Sequence, residues 1–207
     1  MAERIKKHWE IILVSGLGLI LAIVGLWGIM GWENLVYSDV STTVTVTARV
    51  QEQLSFTSNT TTVELVPDLI DSSAVLHVGS STVITLTVGT NSADGYSITV
   101  AGNDDLGLTS GGNNIQLATA TGTATAGSDA YGIQSTSSDM TITSLYWFAT
   151  STDNIGRTST TAAKMATDAS PGTSQRAYVV IKASCDIAQP TALNYTDTLT
   201  FTAIATP

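Results

Sequence analysis

The hydrophobic positions of this chain follow one pattern before residue 32 and another after residue 42. Residues 11–32 read IILVSGLGLILAIVGLWGIMGW and contain no charged side chain. At about 1.5 Å of rise per residue, a helix of this length spans roughly 33 Å, enough to cross a hydrocarbon core of about 30 Å. The stretch therefore predicts one N-terminal hydrophobic helix of the transmembrane type.

Charges on either side of this stretch predict its orientation. Arg4, Lys6 and Lys7 precede it, and no Lys or Arg follows until Arg49. Positive charge favours the cytoplasmic side of a membrane. We therefore expect residues 1–10 to be a cytoplasmic basic tail, 11–32 the helix, 33–41 a connector and 42–207 an external domain at the cell surface.

The same stretch is compatible with three roles. A cleaved secretory signal has a similarly charged start, but here the apolar run is long and no A-x-A-like cleavage site follows it. A plain membrane anchor is the second role. The third is a helix that packs against copies of itself, because small residues share one face and let helices approach closely. These helix-packing candidates are Ser15, Gly18, Ala22 and Gly25.

After residue 42 the apolar positions recur at every second residue, which is the period of a half-buried strand. In the first such run, apolar residues occupy Val44, Val46, Ala48, Val50, Leu54 and Phe56. We expect this strand to complete a sheet, either in its own domain or in a neighbouring copy.

Similar alternation predicts further strands along the rest of the chain. The clearest hairpin joins 82–88 to 96–100 through the turn GTNSADG, and other strands are expected at 62–66, 73–78, 115–118, 131–134, 140–149, 176–183 and 195–206. The segment TTAAKMAT suggests one or two helical turns, and residues 120–130 suggest a loop. Nine to eleven short strands predict an all-β fold, a β-sandwich or jelly-roll ectodomain.

Charge and cysteine content restrict the function. After Thr42 there are thirteen acidic side chains and five basic ones. An acidic domain repels phosphate groups, so nucleic acid is not an expected partner. Cys185 is the only cysteine, which excludes an intramolecular disulfide, and its position after the strand 176–183 predicts a buried, unreactive thiol.

Residues for catalysis or cofactor binding are sparse. His77 is the only histidine after the apolar stretch, no G-x-S-x-G motif occurs, and zinc-type Cys and His clusters are absent from the sequence. We expect neither an enzyme nor a cofactor. The weak metal candidate is a calcium site at Asn103, Asp104 and Asp105, whose oxygen atoms suit that ion although their spacing matches no known calcium loop.

Surface recognition has two kinds of candidate residue. Tyr146, Trp147 and Phe148 form the densest aromatic cluster; alternation places Trp147 on one face and the other two on the opposite face. One face is expected in the core, and an exposed one could stack on sugar rings or on another subunit. Asn59 and Asn194 begin N-glycosylation sequons, which also arise by chance in a chain rich in threonine.

The motifs TVGTNSADGYSITV, YGI, VVIKAS and YTDTLTFTA resemble a broad group of Ser/Thr-rich β-sandwich surface proteins of bacteria. The resemblance implies a surface location and a non-enzymatic module. The layout is also similar to pilin-like and archaeal filament subunits, although no glycine precedes the apolar run as their processing motif requires. Two function classes follow: a structural subunit of a filament or envelope layer, whose partners are copies of itself, and a membrane-anchored adhesin or carbohydrate-binding module.

Overall fold

A computed structural model of the chain describes residues 45–148, 152–191 and 194–206. Contacts divide the chain into two units, Met1–Arg49 and Val50–Pro207. The predicted hydrophobic helix at 11–32, with Ser15, Gly18, Ala22 and Gly25, lies outside the described residues. Within them no helix is long and apolar enough to span a membrane.

The described part of the chain is all-β. Its strands are β1 Leu54–Ser58, β2 Gly79–Ser80, β3 Ile84–Thr90, β4 Tyr96–Ala101, β5 Leu108–Ser110, β6 Asn113–Ile115, β7 Thr121–Thr123, β8 Ala130–Thr136, β9 Thr141–Ile142, β10 Asn154–Gly156, β11 Ala163–Asp168, β12 Gly172–Ser184 and β13 Thr200–Ala205.

These strands form two main sheets and one small hairpin, and all of the strand pairs are antiparallel. The larger sheet has the order β1-β3-β12-β8-β10-β7, with β2 also paired to β12. The smaller sheet has the order β13-β4-β11-β9, and β5 pairs with β6. The prediction of an all-β, sandwich-like fold is confirmed for this part of the chain.

Inward-facing side chains of both sheets belong to one hydrophobic cluster. Along β3 and β4, buried residues alternate with half-buried threonine, serine and glycine. The contributors from these strands and from β12 are Ile84, Leu86, Val88, Tyr96, Ile98, Val100, Ala177, Val179, Ile181 and Ala183. Period two in the sequence thus correctly identified which side chains of these three strands face the core.

The predicted hairpin between β3 and β4 is wrong, although both strands exist. β3 pairs with β1 and β12, whereas β4 pairs with β11 and β13 in the other sheet. The turn between them therefore carries the chain from one sheet to the other. Gly95 in this turn has φ +76°, and a Cβ there would lie 2.0 Å from the Asp168 carbonyl oxygen.

Other element predictions need correction. Residues 45–53 hold no strand, so the first predicted strand begins only at Leu54. Residues 62–66 and 73–78 form isolated bridges and turns; Val66, for example, bridges to Ser80. The strand expected at 140–149 is limited to β9 and followed by a turn, whereas the segment expected to be helical forms β11.

Candidate functional site

The most distinctive surface is the pair of edge strands that begin the two main sheets. β1 pairs only with β3, and β13 pairs only with β4, so in the described part of the chain each has one side without a strand. β1 and β13 also approach each other. We call the outer sides of these two strands the open edge.

Apolar side chains at the open edge are incompletely covered. Phe56 lies opposite Val88 of β3, and Phe201 lies opposite Val100 of β4, so both aromatic rings are on the core-facing sides of their strands. Both nevertheless remain half-buried, whereas Val88 and Val100 are fully buried. Leu54, also on the core-facing side, keeps 38 % of its surface exposed.

The edge β13 lacks the features that usually prevent strand addition. Its sequence TFTAIA contains no charged residue and no proline, which are common protections of edge strands. Ile204 on its outer face is 52 % exposed. The strands at the opposite edges of the two sheets are β9, with two residues, and β7, with three. Both are too short to be good templates for strand addition.

The segment directly before β1 is itself exposed. Thr45–Val50 holds no strand, and Val46 and Val50 keep 85 % and 83 % of their surface exposed. The half-buried strand that its alternating pattern predicted is therefore not formed over these residues.

Asn91 fixes how the chain enters β1. Its Nδ2 donates to the Gln51 carbonyl at 2.8 Å, and the Gln53 N–H donates to its Oδ1 at 2.6 Å. The Asn91 N–H also donates to the Gln53 carbonyl at 3.3 Å. The backbone groups of Gln51 and Gln53 thus point to the same side, toward Asn91. Alternate residues of an extended chain do this, so residues 51–53 continue the direction of β1.

The calcium candidates Asn103, Asp104 and Asp105 form hydrogen bonds within and between loops. The Asp105 carboxylate accepts hydrogen bonds from the Thr160 N–H at 3.0 Å and hydroxyl at 3.2 Å. Asp104 accepts from the Leu106 N–H, and the Asn103 N–H donates to Asp197. Among the described residues, no group of three or more His, Cys, Asp or Glu side chains could hold a metal ion.

The members of the aromatic cluster differ in burial, although they lie after β9 and not in the strand that the alternation assumed. Tyr146 is fully buried and its hydroxyl donates to the Arg157 carbonyl at 3.0 Å. Burial raises the pKa of Tyr146 to about 12. Trp147 is 59 % exposed and Phe148 is half-buried. Trp147 is therefore the member available to a partner.

The remaining candidates from the sequence differ in exposure and in hydrogen-bond partners. The Asn59 side chain donates to the Val83 carbonyl and accepts from the Thr85 N–H, whereas Asn194 is exposed. His77 lies 3.3 Å from Asp71, whose pKa is lowered by backbone hydrogen bonds, chiefly from Val75, and by that histidine. The Cys185 thiol is buried as predicted, and burial raises its pKa.

A cleft of about 650 Å³ was not foreseen from the sequence. Leu108, Ile115 and Ile181 contribute apolar surface, while Tyr131 and Asp197 contribute polar groups. The pKa of Tyr131 is raised by burial first and then by the charge of Asp197. No Lys or Arg lines the cleft in the described part of the chain, so its charge disfavours anions.

Comparison with known proteins gives no relationship: no protein-family model, no curated protein and no solved structure matches this chain. The open edge could not be found from the sequence, because strand order decides which strands are terminal. The signal in the sequence was the alternation of apolar residues at 44–50, which indicates a strand that needs a sheet to pair with.

Proposed function

We propose that this protein is a non-enzymatic structural subunit of the cell surface, held by its N-terminal hydrophobic helix and displayed in many copies as a filament or envelope layer. In this assembly, neighbouring copies contact one another through their β-sandwich ectodomains. The observation that carries this proposal is the open edge, where two uncharged terminal strands leave apolar side chains half-buried. Such edges are templates for association between sheets.

Two features of the sequence support the same function. An uncharged stretch at 11–32 precedes the Thr-rich domain, with the connector 33–41 between them, and positive charge only on the N-terminal side of that stretch favours a domain outside the membrane. Small residues at Ser15, Gly18, Ala22 and Gly25 give that helix a face suited to packing against other copies.

Electron microscopy of the native cell surface with an antibody to the ectodomain tests this function. A structural subunit predicts ordered fibres or a lattice that the antibody labels along its length. Scattered labelling without ordered structures, together with a monomeric protein after gentle solubilisation, would contradict it. A strain lacking the protein is the control for labelling and should also lack the structures.

The second candidate function is a membrane-anchored adhesin or carbohydrate-binding module, and the exposed indole of Trp147 favours it. An aromatic face that is 59 % exposed can stack on a sugar ring. Retention of the full chain on a glycan array, lost in Trp147→Ala and kept in Tyr178→Ala, would support this function. Equal retention of both variants, or none by the unaltered chain, would count against it.

A further inference from the structure

The open edge and the exposed segment Thr45–Val50 have complementary patterns. In the segment, Val46, Ala48 and Val50 lie on one side of an extended chain, and threonine or arginine lies on the other. In β13, Phe201, Ala203 and Ala205 lie on the core-facing side and are only half-buried. A strand added beside β13 would need apolar residues at every second position, which is what the segment has.

We propose that Thr45–Val50 of one copy adds as a strand to the β13 edge of a second copy and covers its half-buried apolar side chains. This inference rests on the proposed multi-copy function and names the contact between subunits. The added strand would bind through backbone hydrogen bonds to β13, while its valines would cover the apolar side chains at the open edge.

A second copy fits better than the same chain because of how residues 51–53 are held. Asn91 binds the backbone of both Gln51 and Gln53, so the chain enters β1 extended. The residue after β13 binds the turn between β3 and β4, which also contains Asn91, because the Thr206 N–H donates to the Gly95 carbonyl at 2.9 Å. Because residues 51–53 are bound by Asn91, a return onto its own β13 would need a chain reversal inside the segment itself, which would shorten the length left to pair. A neighbouring copy requires no reversal.

Alternation makes the proposal sensitive to which side chain is changed. Val46 and Val50 are exposed in the described structure, so replacing them does not remove core packing from the chain's own domain. In an added strand they would become buried. Association should therefore weaken about tenfold or more for each valine replaced by asparagine, judged from the apolar surface that one valine buries.

Disulfide cross-linking between two differently tagged full-length chains tests the contact. One chain carries Val46→Cys and the other carries Phe201→Cys, Ala203→Cys or Ala205→Cys, which samples the unknown register. Cys185 is buried and stays in place. Mild oxidation on the cell surface should give a dimer containing both tags in at least one combination. Thr47→Cys is the matched control: its side chain would lie on the opposite face, so its cross-linking should be at least about tenfold lower.

The outcomes separate this contact from the proposed function. Ordered arrays without a mixed-tag dimer would overturn strand addition while leaving the structural function intact. A chain carrying both Val46→Cys and Ala203→Cys that closes only within itself would show that the segment covers its own sheet. Absence of multi-copy structures for the unaltered protein would overturn both.

As a second measurement, Val46→Asn with Val50→Asn should abolish arrays, and Thr45→Asn with Thr47→Asn should keep them. Equal array formation by both variants would overturn the proposal.

Discussion

At the residue scale, two buried polar side chains of this domain, Lys182 and Tyr146, are held by specific partners. The Lys182 side chain is 9 % exposed, and its Nζ donates to Asp153 at 2.8 Å and to the Thr152 carbonyl at 2.9 Å. Tyr146 similarly places its hydroxyl on the Arg157 carbonyl. Such pairs matter because a buried polar group that loses its partner has a large desolvation cost.

Tyr146→Phe tests one of these partners. Removing the hydroxyl leaves the Arg157 carbonyl without its donor and should lower the free energy of unfolding by about 0.5–1.5 kcal/mol at neutral pH. Urea unfolding of the full chain, followed by circular dichroism, measures the difference.

The same variant should change the response to alkaline pH. The pKa of Tyr146 rises from 10.0 to about 12 on folding because the ring is buried. Between these values the unfolded chain releases the phenol proton and the folded chain keeps it, so the stability of the unaltered protein falls as pH rises. The phenylalanine variant lacks this loss, which over about two pKa units exceeds the contribution of the hydrogen bond, so the difference in stability between the two proteins should shrink above pH 10 and change sign as the pH approaches 12. A constant difference across that window would show that the group does not titrate this way.

At the element scale, the connection between β3 and β4 decides the arrangement of the sheets. Its flanking strands alternate like a hairpin but join different sheets. Gly95 permits this crossing because it combines a positive φ with close approach to the backbone of Asp168. Residue 95 therefore has both a conformational and a spatial reason to be glycine.

Gly95→Ala should lower the free energy of unfolding by roughly 2–4 kcal/mol, since the new Cβ meets a backbone oxygen in addition to the strain of a positive φ. Gly111→Ala is the matched control. Its φ is +55°, yet nothing lies within 4 Å of an added Cβ. That variant should lose only about 1 kcal/mol. Equal losses in urea unfolding would mean that the contact with Asp168 contributes nothing.

At the scale of the whole molecule, the proposed assembly depends on both ends of the described structure and on the helix that the sequence predicts at 11–32. β1 and β13 come from opposite ends of the domain sequence, yet they lie together at the open edge. In the sequence, the segment that would cover this edge follows the predicted helix at 11–32 and the predicted connector at 33–41. Association through the strand and through the helix should therefore reinforce each other.

Gly18→Leu tests the contribution of the helix. If Gly18 and Ala22 lie in a contact between helices, the larger side chain should force the backbones apart and weaken self-association. An association assay in membranes that compares the full chain with this variant measures the effect. Ile20→Leu, on the opposite side of a helix from Ser15, Gly18, Ala22 and Gly25, should associate like the unaltered protein. Unchanged association of Gly18→Leu would leave the helix as a plain anchor.

The sequence by itself determined the class of the domain and the inward-facing side chains of its central strands. Alternation in β3, β4 and β12 identified buried residues correctly, because side chains of a strand point to opposite faces whatever its neighbours are.

Only the tertiary structure decided which strands pair and which remain terminal. Local alternation carries no information about the partner of a strand, so β3 and β4 looked like a hairpin. The segment with helical propensity became β11 because pairing with β4 and β9 satisfies its backbone and buries Met165 and Ala166. The open edge exists for the same reason: strand order, fixed by long-range packing of both sheets around one core, left β1 and β13 at the ends.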